Sequence, residues 1–246
     1  MTQPFLNDSR LIVIIIKLDG VMKKIVFGIL AGLLLVITGC NDDDGYSLDD
    51  MWIGFGVLKG ETGSYNIIMD NKDKLVPVAA NYPWQSSFEN GDRVLVNYTV
   101  LDDDTVDNNP LYYVKVNDID DILMKGILDI TEENADSIGN DPIIVQDYWM
   151  TDSLLSFKLK YWGYSATHFL NLVKEPGELN EPVELELRHN ANGDEESIPY
   201  TAFVSFSLND LRIEGQNSVE FIFTSTDYDG NEFTEEEVFN YGDLDE

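Results

Sequence analysis

From residue 51 onward the chain is a succession of short runs in which apolar and polar positions alternate with a period of two, the signature of half-buried strands. In 51–58, Ile53, Phe55 and Val57 share one face and Gly54 and Gly56 the other. Glycines at that spacing imply tight curvature or close backbone approach. Gly60-Glu61-Thr62-Gly63 marks a turn, 65–69 a second strand, Asp70-Asn71-Lys72-Asp73 another turn, and 75–79 a third strand, which Pro77 places at an edge or a bulge. A loop over 81–90 carries Tyr82, Pro83 and Trp84. The clearest alternation follows Gly91-Asp92-Arg93: Val94, Val96, Tyr98 and Val100 against Leu95, Asn97, Thr99 and Leu101. Asp102-Asp103-Asp104 through Asn109-Pro110 reads as an acidic loop, and Tyr112, Val114 and Val116 as one face of a fifth strand. Five short strands of this kind predict a small Greek-key barrel of the OB type over 51–130.

The end of that range is ambiguous. Ile119, Ile122 and Leu123 have helical spacing, but Gly126 interrupts a short run, so 118–130 is expected to bridge two domains, partly as strand. Residues 131–140 are acidic and polar, and Gly139-Asn140-Asp141-Pro142 signals a boundary. The alternation then resumes. Leu155, Phe157, Leu159 and Tyr161 form one face, Val183, Leu185 and Leu187 another, followed by Ala202, Val204, Phe206 and Leu208 and by Val219, Phe221 and Phe223. With 143–149, 168–173 and 233–239, about seven strands over 141–246 predict an immunoglobulin-like β-sandwich. No segment shows a long 3.6 period, so the whole chain is expected to be mostly β.

The first 50 residues follow other rules. Met22-Lys23-Lys24 is a short basic start, and 25–38 is apolar or small and free of charge. Its length, about 14 residues, suits the hydrophobic region of a secretory signal and is short for a bilayer span. A membrane helix over 11–37 would bury Lys17, Asp19, Lys23 and Lys24, each at roughly 2.5–3.5 kcal/mol. Residues 1–39 are therefore read as a signal region, with Met22 as its natural start. Ile37-Thr38-Gly39-Cys40 resembles the lipobox of bacterial lipoproteins. The resemblance implies cleavage before Cys40, diacylglycerol on its sulfur, a further acyl chain such as palmitate, and membrane attachment through Cys40. Two or three such chains make attachment effectively permanent. Residues 40–50 are then an acidic linker. Its Asn41-Asp42-Asp43-Asp44 resembles the surface-export signal of Bacteroidetes lipoproteins, which implies the outer face of the outer membrane; the alternative is its periplasmic face.

Composition narrows the function. Removing residues 1–39 takes away Arg10, Lys17, Lys23, Lys24, Asp8 and Asp19 and leaves 207 residues with 44 acids, 11 bases and a net charge of −33. Double-stranded nucleic acid is disfavoured on that balance, because phosphate binding needs Lys and Arg, and no nucleic-acid partner is expected. Anionic headgroups repel the body too, so the lipid alone is expected to hold it at the membrane. Cys40 is the only cysteine, so the exported body folds without disulfides and rests on burial.

Candidate chemistry is sparse. His168 and His189 fall on expected strands, where a half-buried structural role is the simpler reading, and no Gly-x-Ser-x-Gly elbow supports a serine nucleophile. Asp227-Tyr228-Asp229-Gly230-Asn231-Glu232 has oxygen ligands at alternate positions but not EF-hand spacing, so a hairpin is preferred to a metal site. Neither a metal nor a cofactor is expected. Rings are plentiful, and those in loops, Tyr82 and Trp84 in one and Trp162 and Tyr164 in another, are the candidates for facing a protein or glycan ligand.

The parts together resemble the NigD-like lipoproteins of the Bacteroidetes, an N-terminal OB-type domain followed by a C-terminal β-sandwich. The stretches that carry the resemblance are Phe88-Glu89-Asn90-Gly91-Asp92-Arg93-Val94-Leu95-Val96, Asp141-Pro142-Ile143 and Ser205-Phe206-Ser207-Leu208. The resemblance spans residues 22–246 and brings no catalytic motif with it. The expectation is a membrane-anchored, non-enzymatic binding module. The alternatives are an accessory subunit of an outer-membrane complex and, behind both, a carboxylate-based hydrolase.

Overall fold

The computed structural model describes residues 46–106 and 109–242. Cys40, the Ile37-Thr38-Gly39 motif, Asn41 to Asp44 and Asp107 lie outside the described residues. Five strands, β1 (Trp52–Glu61), β2 (Ser64–Met69), β3 (Lys74–Ala80), β4 (Arg93–Val106) and β5 (Asn109–Asp121), close into a barrel in the order β1-β2-β3-β5-β4. The alternating apolar positions supply its core, with Leu58, Ile67, Leu75, Val94, Val96, Val114 and Val116 fully buried. Gly56 faces a close approach from β2. A Cβ there would stand 2.6 Å from Ile67 Cγ2 and 2.9 Å from the Ile68 carbonyl oxygen. Pro77 sits at a bulge, where the parallel β3–β5 register slips between Pro77 and Ala79.

Two segments depart from expectation. Of the acidic loop expected over 102–110, residues 102–106 and 109–110 are strand: β4 and β5 stay paired there, Asp103 with Tyr112 and Asp104 with Leu111. The backbone ladder continues there at little cost, because the carboxylates stay exposed to water. The bridge over 118–130 is partly strand, as expected, but its later part belongs to the sandwich and not to the barrel. β6 (Leu123–Lys125) and β7 (Leu128–Asp129) run parallel to sandwich strands, so the barrel ends near Asp121. Strands of three and two residues are too short to carry a period, so alternation marks seven sandwich strands where the structure has nine.

The helix α1 (Ala135–Ile138) precedes β8 (Ile144–Met150), β9 (Leu154–Gly163), β10 (Phe169–Lys174), β11 (Val183–Asn190), β12 (Ile198–Ser207), β13 (Ser218–Thr226) and β14 (Glu232–Asn240). They build a five-stranded sheet, β14-β13-β11-β10-β7, facing a four-stranded one, β6-β12-β9-β8. Between them lies a core of rings and aliphatics centred on Phe157, Phe206, Phe221 and Phe223. The β13–β14 connection is the hairpin that Asp227 to Asn231 predicts. The Asp227 carboxylate accepts from the N–H groups of Asp229 and Asn231 and from the Asn231 amide. The Asn231 amide above all, then those N–H groups, hold its pKa below the usual carboxylate range.

Barrel and sandwich meet through one arginine. Arg93, at the start of β4, is 1% exposed. Its guanidinium forms a two-pronged ion pair with Asp70, Nη2–Oδ2 being 2.6 Å. It also donates through Nε to Ser205 Oγ (3.2 Å) and through Nη2 to Ser156 Oγ (3.4 Å). These serines face each other across β9 and β12, so the barrel's charge lands on a pair of small hydroxyls on the sandwich. Trp149 Nε1 donates to the same carboxylate (2.8 Å), and Phe55 of β1 packs between Trp149 and Phe203 with centroids 4.9 and 5.0 Å away.

Candidate functional surface

The rings singled out in the sequence separate in space. Trp84 is a correction: it is 1% exposed, packed between Tyr65 (6.3 Å) and Phe88 (5.9 Å) in the barrel core. An indole can bury more apolar area than any other side chain, and that gain holds it inside although its Nε1 has no hydrogen-bond partner. Tyr82 remains 40% exposed, but its hydroxyl donates to Asp118 Oδ1 (2.7 Å) and accepts from the Ile119 N–H (3.1 Å). It ties the 81–88 loop to β5. Trp162 is half-buried under Lys160, whose Nζ lies 4.6 Å from the ring centroid, and against Tyr228 at 4.8 Å. Tyr164 is 61% exposed.

Tyr164 stands beside a column that sequence reading did not find. Tyr200, itself in contact with solvent, stacks on Tyr161 at 5.7 Å, Tyr161 lies 4.6 Å from the His168 ring, and His168 stacks on His189 at 5.0 Å. The Tyr161–Tyr200 pair comes from the register between β9 and β12, residues distant in sequence, and local pattern carries no trace of it. His189 is on β11, as expected, but is fully buried and not half-buried. His168 lies just before β10, where the chain turns in.

The imidazoles form a chain of contacts: Asp194 Oδ2 to His168 Nε2 (3.2 Å), His168 Nδ1 to His189 Nε2 (2.8 Å) and His189 Nδ1 to the Pro142 carbonyl (2.9 Å). Hydrogen-bond chemistry settles the protons. The carbonyl only accepts, so His189 Nδ1 carries a hydrogen and donates. Burial pushes the His189 pKa down, which keeps it neutral and leaves Nε2 to accept from His168 Nδ1–H. The Asp194 carboxylate meets the other side of the same ring, at His168 Nε2.

Asp194 in turn organises the exposed loop. It accepts from the N–H of Tyr164 (2.6 Å) and of Ser165 (3.0 Å), and these bonds, the Tyr164 one first, hold its pKa far below the usual carboxylate range. Gly163 is required there, since a Cβ would stand 2.8 Å from His168 Nε2 and 3.0 Å from Asp194 Oδ2. The loop that presents Tyr164 is therefore fixed before any ligand arrives. All four ring nitrogens are committed within the protein, and none is left as a free base.

The sign of the pH response follows. With its folded-state pKa lowered, His189 refuses the proton that an unfolded chain takes up below its ordinary value of about 6.5, so this residue's contribution to stability falls as pH falls through that value. We expect the ¹⁵N spectrum to show His189 as the neutral Nδ1–H tautomer at about pH 6, where a free imidazole is mostly protonated. A doubly protonated His189 at that pH would contradict the assignment.

A family model described as the NigD-like N-terminal OB domain matches residues 56–122, and one described as the NigD-like C-terminal beta sandwich domain matches 126–241. Among solved structures, one named as toxin-related from Parabacteroides distasonis is 30% identical, covering 80% of this chain and 96% of its own, with a TM-score of 0.67. A protein of unknown function from Bacteroides vulgatus is 25% identical over 78% of this chain and 91% of its own, TM-score 0.64. A NigD-like immunity protein from Bacteroides caccae shares the fold at 20% identity, 77% and 93% coverage and TM-score 0.58. No curated protein matches the chain.

Proposed function

Because the chain belongs to the NigD-like family, with its OB domain and β-sandwich, we propose that it is a lipid-anchored protein of the outer membrane, attached through Cys40 and facing outward, that acts by binding and not by catalysis. The observation that carries the reading is the join of two features. A lipobox ending at the sole cysteine is followed by a body whose exposed tyrosines, Tyr164 and Tyr200, stand on a loop and strand already held in place by Asp194 and the histidine column. A rigid ring surface binds with little loss of side-chain freedom. The toxin-related name of the Parabacteroides distasonis relative favours a protein partner over a glycan. The acidic body argues against nucleic acid.

Cys40→Ala is expected to move the protein wholly from the membrane to the soluble or periplasmic fraction and to leave its unfolding midpoint unchanged, since no disulfide depends on that sulfur. Retention of the variant in the membrane fraction rejects the anchor. Protease shaving of intact cells, with a periplasmic protein as control, is expected to digest the wild type. Full protection would place it on the periplasmic side and shift the role to an accessory one within the envelope.

A further inference from the structure

A second candidate site lies away from the tyrosines. A cleft of about 440 Å³ opens where the barrel meets the sandwich. That is within the range of small-molecule sites, which favour domain boundaries. Its floor is apolar and adaptable, with Met69 from β2, Met124 from β6 and Leu154 from β9. Ser207 and Asn209 add hydroxyl and amide groups at the rim.

Its charge sets it apart from the rest of the molecule. In a body with four acids for every base, the cleft is lined by Lys59, Lys72 and Arg93 against only Asp70 and Asp152. Arg93 is spent on Asp70. Lys59 makes no ion pair with any described residue. Lys72 reaches Asp152 at 3.0 Å, but both side chains are more than half exposed, so that pair contributes little.

The backbone at Lys72 supplies a second observation. Lys72 holds φ at +72°, in the left-handed region, at the turn between β2 and β3. Glycine or asparagine occupies such a position without strain, and a lysine does so at a cost. A weak exposed ion pair is a poor return for it. Strain retained at the mouth of a cleft points to a use for the side chain.

We propose that the junction cleft binds a small amphipathic organic anion, its hydrocarbon part on Met69, Met124 and Leu154 and its carboxylate between Lys59 and Lys72. The site is independent of the anchor and of the tyrosine surface.

Three probes with the same tail separate the contributions: octanoate, octanol and octyltrimethylammonium, each titrated into the ¹⁵N-labelled full chain. Octanoate is expected to shift the amides of Lys59, Gly91, Met124 and Ser207 and to bind about tenfold or more tighter than octanol, the size of one charge-assisted contact. The cation is expected not to bind there. Lys59→Gln and Lys72→Gly are each expected to bring octanoate toward the affinity of octanol. Lys72→Gly is expected to do so with an unfolding midpoint equal to or above wild type, because glycine removes the left-handed strain. Loss of affinity without loss of stability supports a ligand role. Equal binding of octanoate and octanol, shifts located elsewhere, or a Lys72→Gly protein with lower stability and unchanged affinity overturns the proposal. Tyr164→Ala serves as the control that leaves octanoate binding intact.

Discussion

Asp70→Ala is expected to destabilise the protein by about 3–5 kcal/mol, the cost of leaving a buried charge without its partner. Arg93 has no exposed side-chain surface, whereas the Asp70 side chain is 22% exposed. Removing the aspartate is therefore the harsher of the two single changes, because the stranded guanidinium has only Ser205 and Ser156 to turn to. The same substitution strips Trp149 Nε1 of its acceptor. The loss falls at the contact between the two domains, so denaturation followed by fluorescence should show the surroundings of Trp149 loosening before the cores unfold. A companion variant tests the cause. Replacing both partners by apolar residues, Asp70→Leu with Arg93→Met, is expected to cost less than Asp70→Ala alone, since no charge is then left behind. A single-variant loss below about 1 kcal/mol, the value of an exposed pair, would show that water reaches the site.

Phe223→Ala is expected to cost a similar amount, about 3–5 kcal/mol, by a different route. Phe223 is fully buried in the middle of the sandwich. Its ring touches Tyr148 (5.0 Å), Phe157 (5.3 Å), Phe233 (6.0 Å) and Phe221 (6.3 Å). Truncation removes the transfer free energy of a ring and leaves a hole bounded by other rings, which two hydrogen-bonded sheets cannot collapse to fill. Phe223→Leu, which keeps most of the volume, should cost clearly less, and Phe233→Ala, at a half-buried position, should fall between them. Urea denaturation at one pH ranks the three. An order in which Phe233→Ala is the worst would move the centre of the core toward β14.

The same two positions show how far the sequence could be read. Phe223 was legible as a core residue because Val219, Phe221 and Phe223 alternate with polar neighbours, and period two makes one face of a strand dry wherever it packs. Arg93 was legible only as the residue before the strongest strand. Burial of an arginine runs against its composition, and what makes it possible, Asp70 on one side and paired serines on the other, lies 23, 63 and 112 residues away along the chain. Two of the stretches that suggested a family, around Arg93 and Ser205, meet at that junction. The third, Asp141-Pro142-Ile143, supplies the carbonyl that fixes the His189 tautomer.

Aromatic residues divide the same way. Tyr82-Pro83-Trp84 reads as a loop, and its neighbour Gln85–Ser87 is indeed a single 3₁₀ turn, yet Trp84 points into the barrel while Tyr82 stays outside. Loop position sets where a backbone runs and not where a large apolar ring comes to rest. The Tyr161–Tyr200 stack arises from the register of β9 on β12, and the His168–His189 contact from the pairing of β10 with β11.

By itself, the sequence determined the acidic character of the chain, the five barrel strands, the seven longer sandwich strands and the identity of most core residues. Each of these depends on composition or on near neighbours, where side-chain direction follows from a two-residue period. Only the tertiary structure decided which rings face water, that β6 and β7 complete the sandwich, that a chain rich in acids gathers three of its cations at one cleft, and which nitrogen of His189 carries its hydrogen. Those depend on residues brought together from distant parts of the chain, and contact across such distances is set by packing and hydrogen-bond satisfaction of the whole fold.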